Sequence, residues 1–254
     1  MNVFTQLKHY NRLLFYSGLC SLLMAVVCAV ILCFDNRQVL GINLWIKPIK
    51  FLLSIVLFNW SMAWYLHYLQ RPVAVRKYSV MVVVVFAFEM VVIIGQAARG
   101  QLSHFNISTP LSGALFSMMG VAIVILTLWT LYMALLFFKT PHPQGLTTGF
   151  WWGIRLGLLV FVVFALQGGL MASRLSHTVG APDGGSGLPF FNWSTRYGDL
   201  RVAHFIGMHA LQVLPLLGWW LFKKRTQIIM VGLLYSMLAT WALWRAWQGY
   251  ALLW

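Results

Sequence analysis

Residues 13–34 read LLFYSGLCSLLMAVVCAVILCF, without one Asp, Glu, Lys or Arg. A helix rises about 1.5 Å per residue, so this run is long enough to cross a hydrocarbon core of about 30 Å. Inside lipid a chain must satisfy its own backbone N–H and C=O groups, and a single apolar segment does so only as an α-helix. The run follows a weakly basic start and is too long for a signal-peptide core, so it reads as an uncleaved span. Further spans are drawn at 47–69, 78–98, 111–138, 150–171, 200–222 and 228–248. The expectation is one all-α transmembrane domain over 1–254, a bundle of seven helices in a lipid bilayer.

Composition agrees. The chain is 61% hydrophobic and 9% charged, whereas soluble domains carry about 25% charged residues. Its net charge of +14 comes from 18 Lys and Arg against 4 acids. Those charges sit between apolar runs and form no basic surface interleaved with aromatics. They therefore read as topogenic signals and buried cations, with no nucleic-acid partner. Cys20, Cys28 and Cys33 share one apolar run, at spacings that suit neither a disulfide nor a zinc knuckle.

Lys8, Arg12, Arg71, Arg76, Lys77, Lys139 and the Lys223–Lys224–Arg225 cluster lie on one side with no acid among them. Arg37, Lys47, Lys50, Arg99, Arg174, Arg196, Arg201 and Arg245 lie on the other, with Asp35, Asp183 and Asp199. The acid-free side is expected to be cytoplasmic. The N-terminus is then inside and the C-terminus outside. Several spans carry start signals: Pro48, Thr109 before Pro110, and Asp199 as the cap of the sixth helix. Pro215 is expected to kink that helix, and Gly168 and Gly169 to loosen the fifth near its end. Trp241, Trp244, Trp247 and Trp254 read as an interfacial belt.

At about 100° per residue, polar groups gather on faces. Lys47, Lys50, Ser54 and Ser61 share one face of the second helix, and Glu89, Gln96, Arg99 and Ser103 one of the third. Gln167, Arg174 and His177 share a face of the fifth, and Arg201, His204, Met208 and Gln212 of the sixth. One stripe is ordinary helix packing; four on the outer half predict a shared, outward-facing cationic cavity. The second, fourth and sixth helices also start on that side, with their positive ends toward it. The expected ligand is a small anion or a lipid head group, held by Lys47, Lys50, Glu89, Gln96, Arg99, His104, Arg174, His177, Arg201, His204 and Gln212. The competing reading is that the cations snorkel to the interface, Arg245 above all.

Glu89 lies about 15 Å below Arg99 along the third helix, near mid-membrane. It is either a proton acceptor or ligand-binding carboxylate, or a structural group: half of a buried pair, with Lys50 the expected partner, or a protonated, hydrogen-bonded acid. His104, His177, His204 and His209 sit at outer helix ends. Together they permit an alternative, a membrane-embedded enzyme or redox protein using His-bound metal or haem. His204 and His209 stand about 140° apart around one helix, so they do not share a ligand. Arg201 and His204 are expected to face the cavity, and His209 a neighbouring helix. No cofactor, catalytic residue or metal site is assigned. The segment 178–199 holds turn residues with Leu188, Phe190, Phe191, Trp193 and Tyr197, and reads as an outer lid.

The blocks WIKPIKF, QAARGQLSHFN and GDLRVAHFIGMHALQ resemble those of a family of uncharacterised bacterial multi-pass inner-membrane proteins, over about 39–222. The resemblance implies a bacterial inner-membrane location and carries no activity. A looser similarity is to seven-helix hydrolases of the alkaline ceramidase and adiponectin-receptor type, which hold zinc with three histidines. This chain lacks their HxxxH pair in the last helix, so no zinc ligand is carried over.

Overall fold

The computed structural model describes residues 2–252; Trp254 of the aromatic belt lies outside them. Seven helices are long and apolar enough to span a membrane: α2 (Arg12–Phe34), α3 (Ile46–Leu66), α4 (Pro72–Ala98), α5 (Pro110–Lys139), α6 (Thr148–Arg174), α7 (Leu200–Trp220) and α8 (Arg225–Trp247). A 3₁₀ turn, His67–Leu69, extends α3. A short helix, α1 (Val3–Tyr10), precedes them. The chain divides into two compact units, Met1–Leu126 and Thr127–Trp254, with the division inside α5.

In the first unit, Asn11 ends α1 and starts α2. Its extended backbone (φ −154°) breaks the helix, and its side chain accepts from Leu14 N at 3.1 Å. The same amide donates to Ser79 Oγ on α4 at 2.8 Å. Gly18 seats the Trp60 indole, which a Cβ there would strike, and Asn59 Nδ2 donates to Ser17 Oγ at 3.0 Å. α2 and α3 are thus joined by close contact and a part-buried polar pair.

Between them, β1 (Gln38–Val39) and β2 (Ile42–Asn43) form a hairpin whose turn residues, Leu40 and Gly41, have φ of 51° and 74°, the mirror-image turn that matches strand twist. Asp35 anchors this hairpin, accepting from Arg37 Nη2 at 2.7 Å and Trp45 Nε1 at 2.9 Å. These two donors hold its carboxyl well below the usual carboxylate range. Arg37 also donates to Ala98 O at 3.1 Å, covering the C-terminal end of α4.

α4 begins six residues before the predicted span. Pro72, with its fixed φ, takes the first helical position after Gln70 (φ 51°). The apolar run marks where the helix is greasy, not where it starts.

In the second unit α6 and α7 approach backbone to backbone. Gly149, Gly153 and Gly157 form one stripe on α6. A Cβ on Gly153 would lie 2.6 Å from Leu214 O, and one on Gly157 2.6 Å from Ala210 O. This is the small-residue packing of membrane helices. Thr147 caps α6, accepting from Phe150 N at 3.1 Å, and its hydroxyl donates to Gly218 O at 3.0 Å. Tyr235 Oη of α8 donates to Ile206 O of α7 at 2.5 Å. Many large apolar side chains on α8, such as Met230, Leu233, Leu234 and Met237, stay exposed, as a lipid-facing surface requires.

Candidate functional site

In the first unit the polar groups gather where α3 and α5 begin and α4 ends. α4 stops at Ala98 because Gly100 turns left-handed (φ 70°), with Gly100 N–H donating to Ala97 O and Gln101 N–H to Gln96 O. Ser103, expected on the helix face, therefore lies in the following loop, buried beside His104, with 3.1 Å from its Oγ to His104 Nδ1.

Gln96 is 3% exposed. Its Nε2 reaches Ser112 Oγ at 3.5 Å and Leu102 O at 3.4 Å, while its Oε1 accepts from Arg99 at 3.5 Å. Thr109 caps α5, accepting from Ser112 N at 3.1 Å. His104 contacts Phe51 (5.5 Å between ring centres) and Phe116 (6.2 Å), and Lys47 Nζ lies 5.9 Å from the Phe51 ring. Trp45 precedes the first turn of α3 without a capping side-chain bond.

Glu89 is 3% exposed, and its Oε1 is buried without a hydrogen-bond partner. The cation whose charge acts on it is Lys47, one turn before Lys50. Lys47 and Lys50 are half-buried; Arg99 and Ser54 are exposed.

The second unit places its predicted residues differently. Asp199 closes β4 (Gly198–Asp199) against β3 (Thr178–Val179) and caps α7. Its carboxylate accepts from Arg201 N at 3.1 Å, Ser194 N at 2.9 Å and Arg201 Nη2 at 2.6 Å. The Arg201 guanidinium also donates to Asn192 O. Arg201 was expected to face the shared cavity; in the structure it pairs with Asp199 and ties the 178–199 loop to the helix start.

Asp183 does the same beside α6. It accepts from Thr178 N at 2.9 Å and Ser176 Oγ at 2.9 Å, and pairs with His177 Nδ1 at 3.2 Å. Burial pushes this carboxyl up, but the His177 charge and the hydrogen bonds outweigh it and hold it below the usual range. His177 lies past the end of α6, since Leu175 turns left-handed (φ 50°). His177 and Arg201 line a cavity of about 40 Å³ with Asn192 and Ser194, room for a few waters. Phe191 and Trp193 of the loop pack on Phe205, at 5.5 and 5.2 Å between ring centres, while Phe190 and Tyr197 stay exposed.

His204 was expected to face a cavity. Its Nδ1–H donates to Phe164 O on α6 at 2.7 Å, and its ring sits over Gly168. Gly168 makes room for the imidazole, while Gly169 has open space around it. His209 was expected to face a neighbouring helix; its Nδ1–H donates to Phe205 O of its own helix at 2.8 Å and its ring lies 4.0 Å from the Phe205 ring. Carbonyl acceptors fix both tautomers and leave each Nε2 with a lone pair. Arg174 lies over Trp247 at 5.4 Å, and Gln212 is half-buried on α7. Gln167 reaches Leu200 O at 3.5 Å, with its Oε1 unpartnered. Arg245 donates to Ala251 O at 2.9 Å and lies over Trp241 and Tyr250. Among the described residues no three His, Cys, Asp or Glu group as metal ligands.

Two features escaped the sequence reading. Arg155, 9% exposed, donates to Phe137 O at 3.0 Å and Thr140 O at 2.9 Å, covering carbonyls at and just past the end of α5, and lies over the Trp151 and Trp152 rings. The signal was one Arg inside an apolar span, next to two tryptophans. The second is the Gly149, Gly153, Gly157 stripe, visible as glycine every fourth residue.

Fold and polar network together define an all-α, multi-pass integral membrane protein. No protein-family model, curated protein or solved structure matches the chain.

Proposed function

We propose that the protein recognises a small anion or lipid head group, as a transporter-like or sensor-like membrane protein, through the polar end of its first unit. The observation that carries this is a charge imbalance. Lys47, Lys50 and Arg99 lie at the end of the unit where α3 starts and α4 stops, and the one buried acid among its described residues, Glu89, feels the Lys47 charge and leaves one oxygen unpartnered. The uncapped start of α3 adds its positive end. The second unit suits an anion less well, because Arg201 and His177 each already face an aspartate. Arg174 and His204 act there in packing α6, α7 and α8.

This end faces the periplasm of a bacterial inner membrane in our reading, with the N-terminus cytoplasmic; the acid-free basic segments and the family resemblance support that orientation. Cysteines introduced near Lys223 are then shielded from an impermeant reagent in intact cells, and cysteines within 180–195 react. The reverse pattern overturns it.

The functional test is calorimetric titration of the purified chain with inorganic phosphate, acetate and a short-chain phosphatidic acid. At least one binds, at least tenfold more weakly to Lys47→Met, Lys50→Met or Arg99→Gln, and unchanged to Arg245→Gln. No binding, or equal affinity in all variants, overturns the reading.

A second reading, a redox or metal protein, is favoured by the fixed Nε2 lone pairs of His204 and His209, since ligating histidines characteristically donate their other N–H to a carbonyl. A haem absorption band or stoichiometric metal in the purified protein, lost in His204→Ala, supports it; a colourless, metal-free preparation overturns it.

A further inference from the structure

The end of the first unit opposite Glu89 holds the larger cavity. It encloses about 350 Å³ where α1 gives way to α2 and α3 gives way to α4, a volume in the range of small-molecule sites. Its walls are pinned by two long-range contacts. The Tyr10 ring stacks on His67 at 3.8 Å, and Asn11 donates to Ser79 Oγ at 2.8 Å. Arg71 and Arg76 supply its charge, with His67 beside them, and none of its described lining residues is an acid. Its remaining surface includes Leu13, Leu66 and Val75. The first turn of α4, at Pro72, opens onto the same space.

We infer that this cavity is a second site, for the phosphate of an anionic phospholipid. Two guanidinium groups suit a phosphate, which they grip with paired N–H donors. The volume exceeds what a bare phosphate fills, and the apolar part of the lining suits the start of acyl chains, which favours lipid over the free ion. α1 strengthens that choice. Its last residue, Tyr10, lines the cavity, and its first turn leaves Val3 and Phe4 exposed, 63% and 56%, as a helix resting in a membrane interface does. Both arginines are exposed and belong to the acid-free set, where the anionic leaflet is expected.

The test uses the full chain in detergent, titrated with phosphatidylglycerol and watched by native mass spectrometry. Wild type binds phosphatidylglycerol at least tenfold more tightly than phosphatidylcholine. The double variant Arg71→Gln, Arg76→Gln loses that preference, while Arg174→Gln retains it. Inorganic phosphate at millimolar concentration does not displace the lipid; displacement by phosphate assigns the site to the free ion and overturns the lipid proposal. A second readout needs no variant: phosphatidylglycerol raises the melting temperature of the unaltered protein and phosphatidylcholine does not. Equal binding of both lipids, or an undiminished preference in the double variant, overturns the proposal. Neither arginine belongs to the Lys47, Lys50 and Arg99 group, so the two sites fail independently.

Discussion

Glu89 in the first unit and Asp199 in the second are both acids exposed by only 3%, yet their surroundings differ. Asp199 accepts from two backbone N–H groups and pairs with Arg201. Glu89 leaves one oxygen without a partner and feels Lys47 as a nearby charge. The helices differ in the same direction. α6 and α7 meet through glycines, with backbone against backbone. In the first unit, buried and half-buried side-chain amides and hydroxyls link the helices, in the pairs Asn59–Ser17, Asn11–Ser79 and Gln96–Ser112. A paired, capped acid holds a fold together. A buried acid left partly unpartnered beside one cation is destabilising unless something uses it, and this is why the functional reading rests on the first unit.

The largest effect should come from the glycine contact. Gly153→Leu would force a side chain into Leu214 O and should destabilise the protein by at least about 4 kcal/mol. Gly95→Leu in the first unit, with nothing within 4 Å of its Cβ position, should leave the melting temperature nearly unchanged. Equal melting of the two variants would show that backbone proximity is not what joins α6 to α7.

Next come the acids. Asp199→Asn strips Arg201 of its counter-charge and weakens the α7 cap, a loss of about 3 kcal/mol in chemical denaturation. Glu89→Gln should shift stability by less than about 1 kcal/mol, since no hydrogen bond of Oε1 is lost. Comparable losses at both positions would erase the contrast. A double-mutant cycle sharpens it further: Glu89 should couple more strongly to Lys47 than to Lys50, and a larger coupling to Lys50 would reassign the partner.

Asp183 supplies a pH test confined to the second unit. Its carboxyl titrates below the usual value of 3.8. The stability it contributes is therefore complete above that value and is lost as pH falls through the lower folded one. Amide exchange over residues 176–183 should accelerate below about pH 4 in the wild type. In Asp183→Asn it should be fast throughout, with a loss of about 1 kcal/mol. Protection that ignores pH would mean the pair with His177 does not hold the loop.

The smallest effect is expected at Gly120, which sits in open surroundings on α5. Gly120→Ala should stabilise by about 0.5–1 kcal/mol through helix propensity alone.

The helices were legible because lipid leaves a chain one local solution for its backbone. Thr109 before Pro110 and the capping Asp199 were legible too, since a cap acts within three residues of its own position. The start of α4 was not, because hydropathy begins at Tyr78 while the backbone turns at Pro72. Side-chain facing was legible only while a helix lasted. Gly100 and Leu175 turn left-handed and carry Ser103 and His177 off the faces that a continued helix would have assigned. His204 was misjudged for another reason. Its angular position pointed to a polar face, but the missing side chain of Gly168 opened a seat on α6 that no periodicity records.

The sequence by itself determined that this chain is a set of seven apolar helices and which residues among them carry charge, because burial in hydrocarbon is decided residue by residue and segment by segment. The tertiary structure decided which of those charges are spent on one another. Arg37 reaches Ala98 O, Asp183 meets His177, Arg201 closes on Asp199 and Asn192, and Glu89 keeps an oxygen without a partner. A hydrogen bond or ion pair exists only when two atoms come within about 3 Å of each other. That distance follows from turns, glycine contacts and loop paths, not from the identity of either residue.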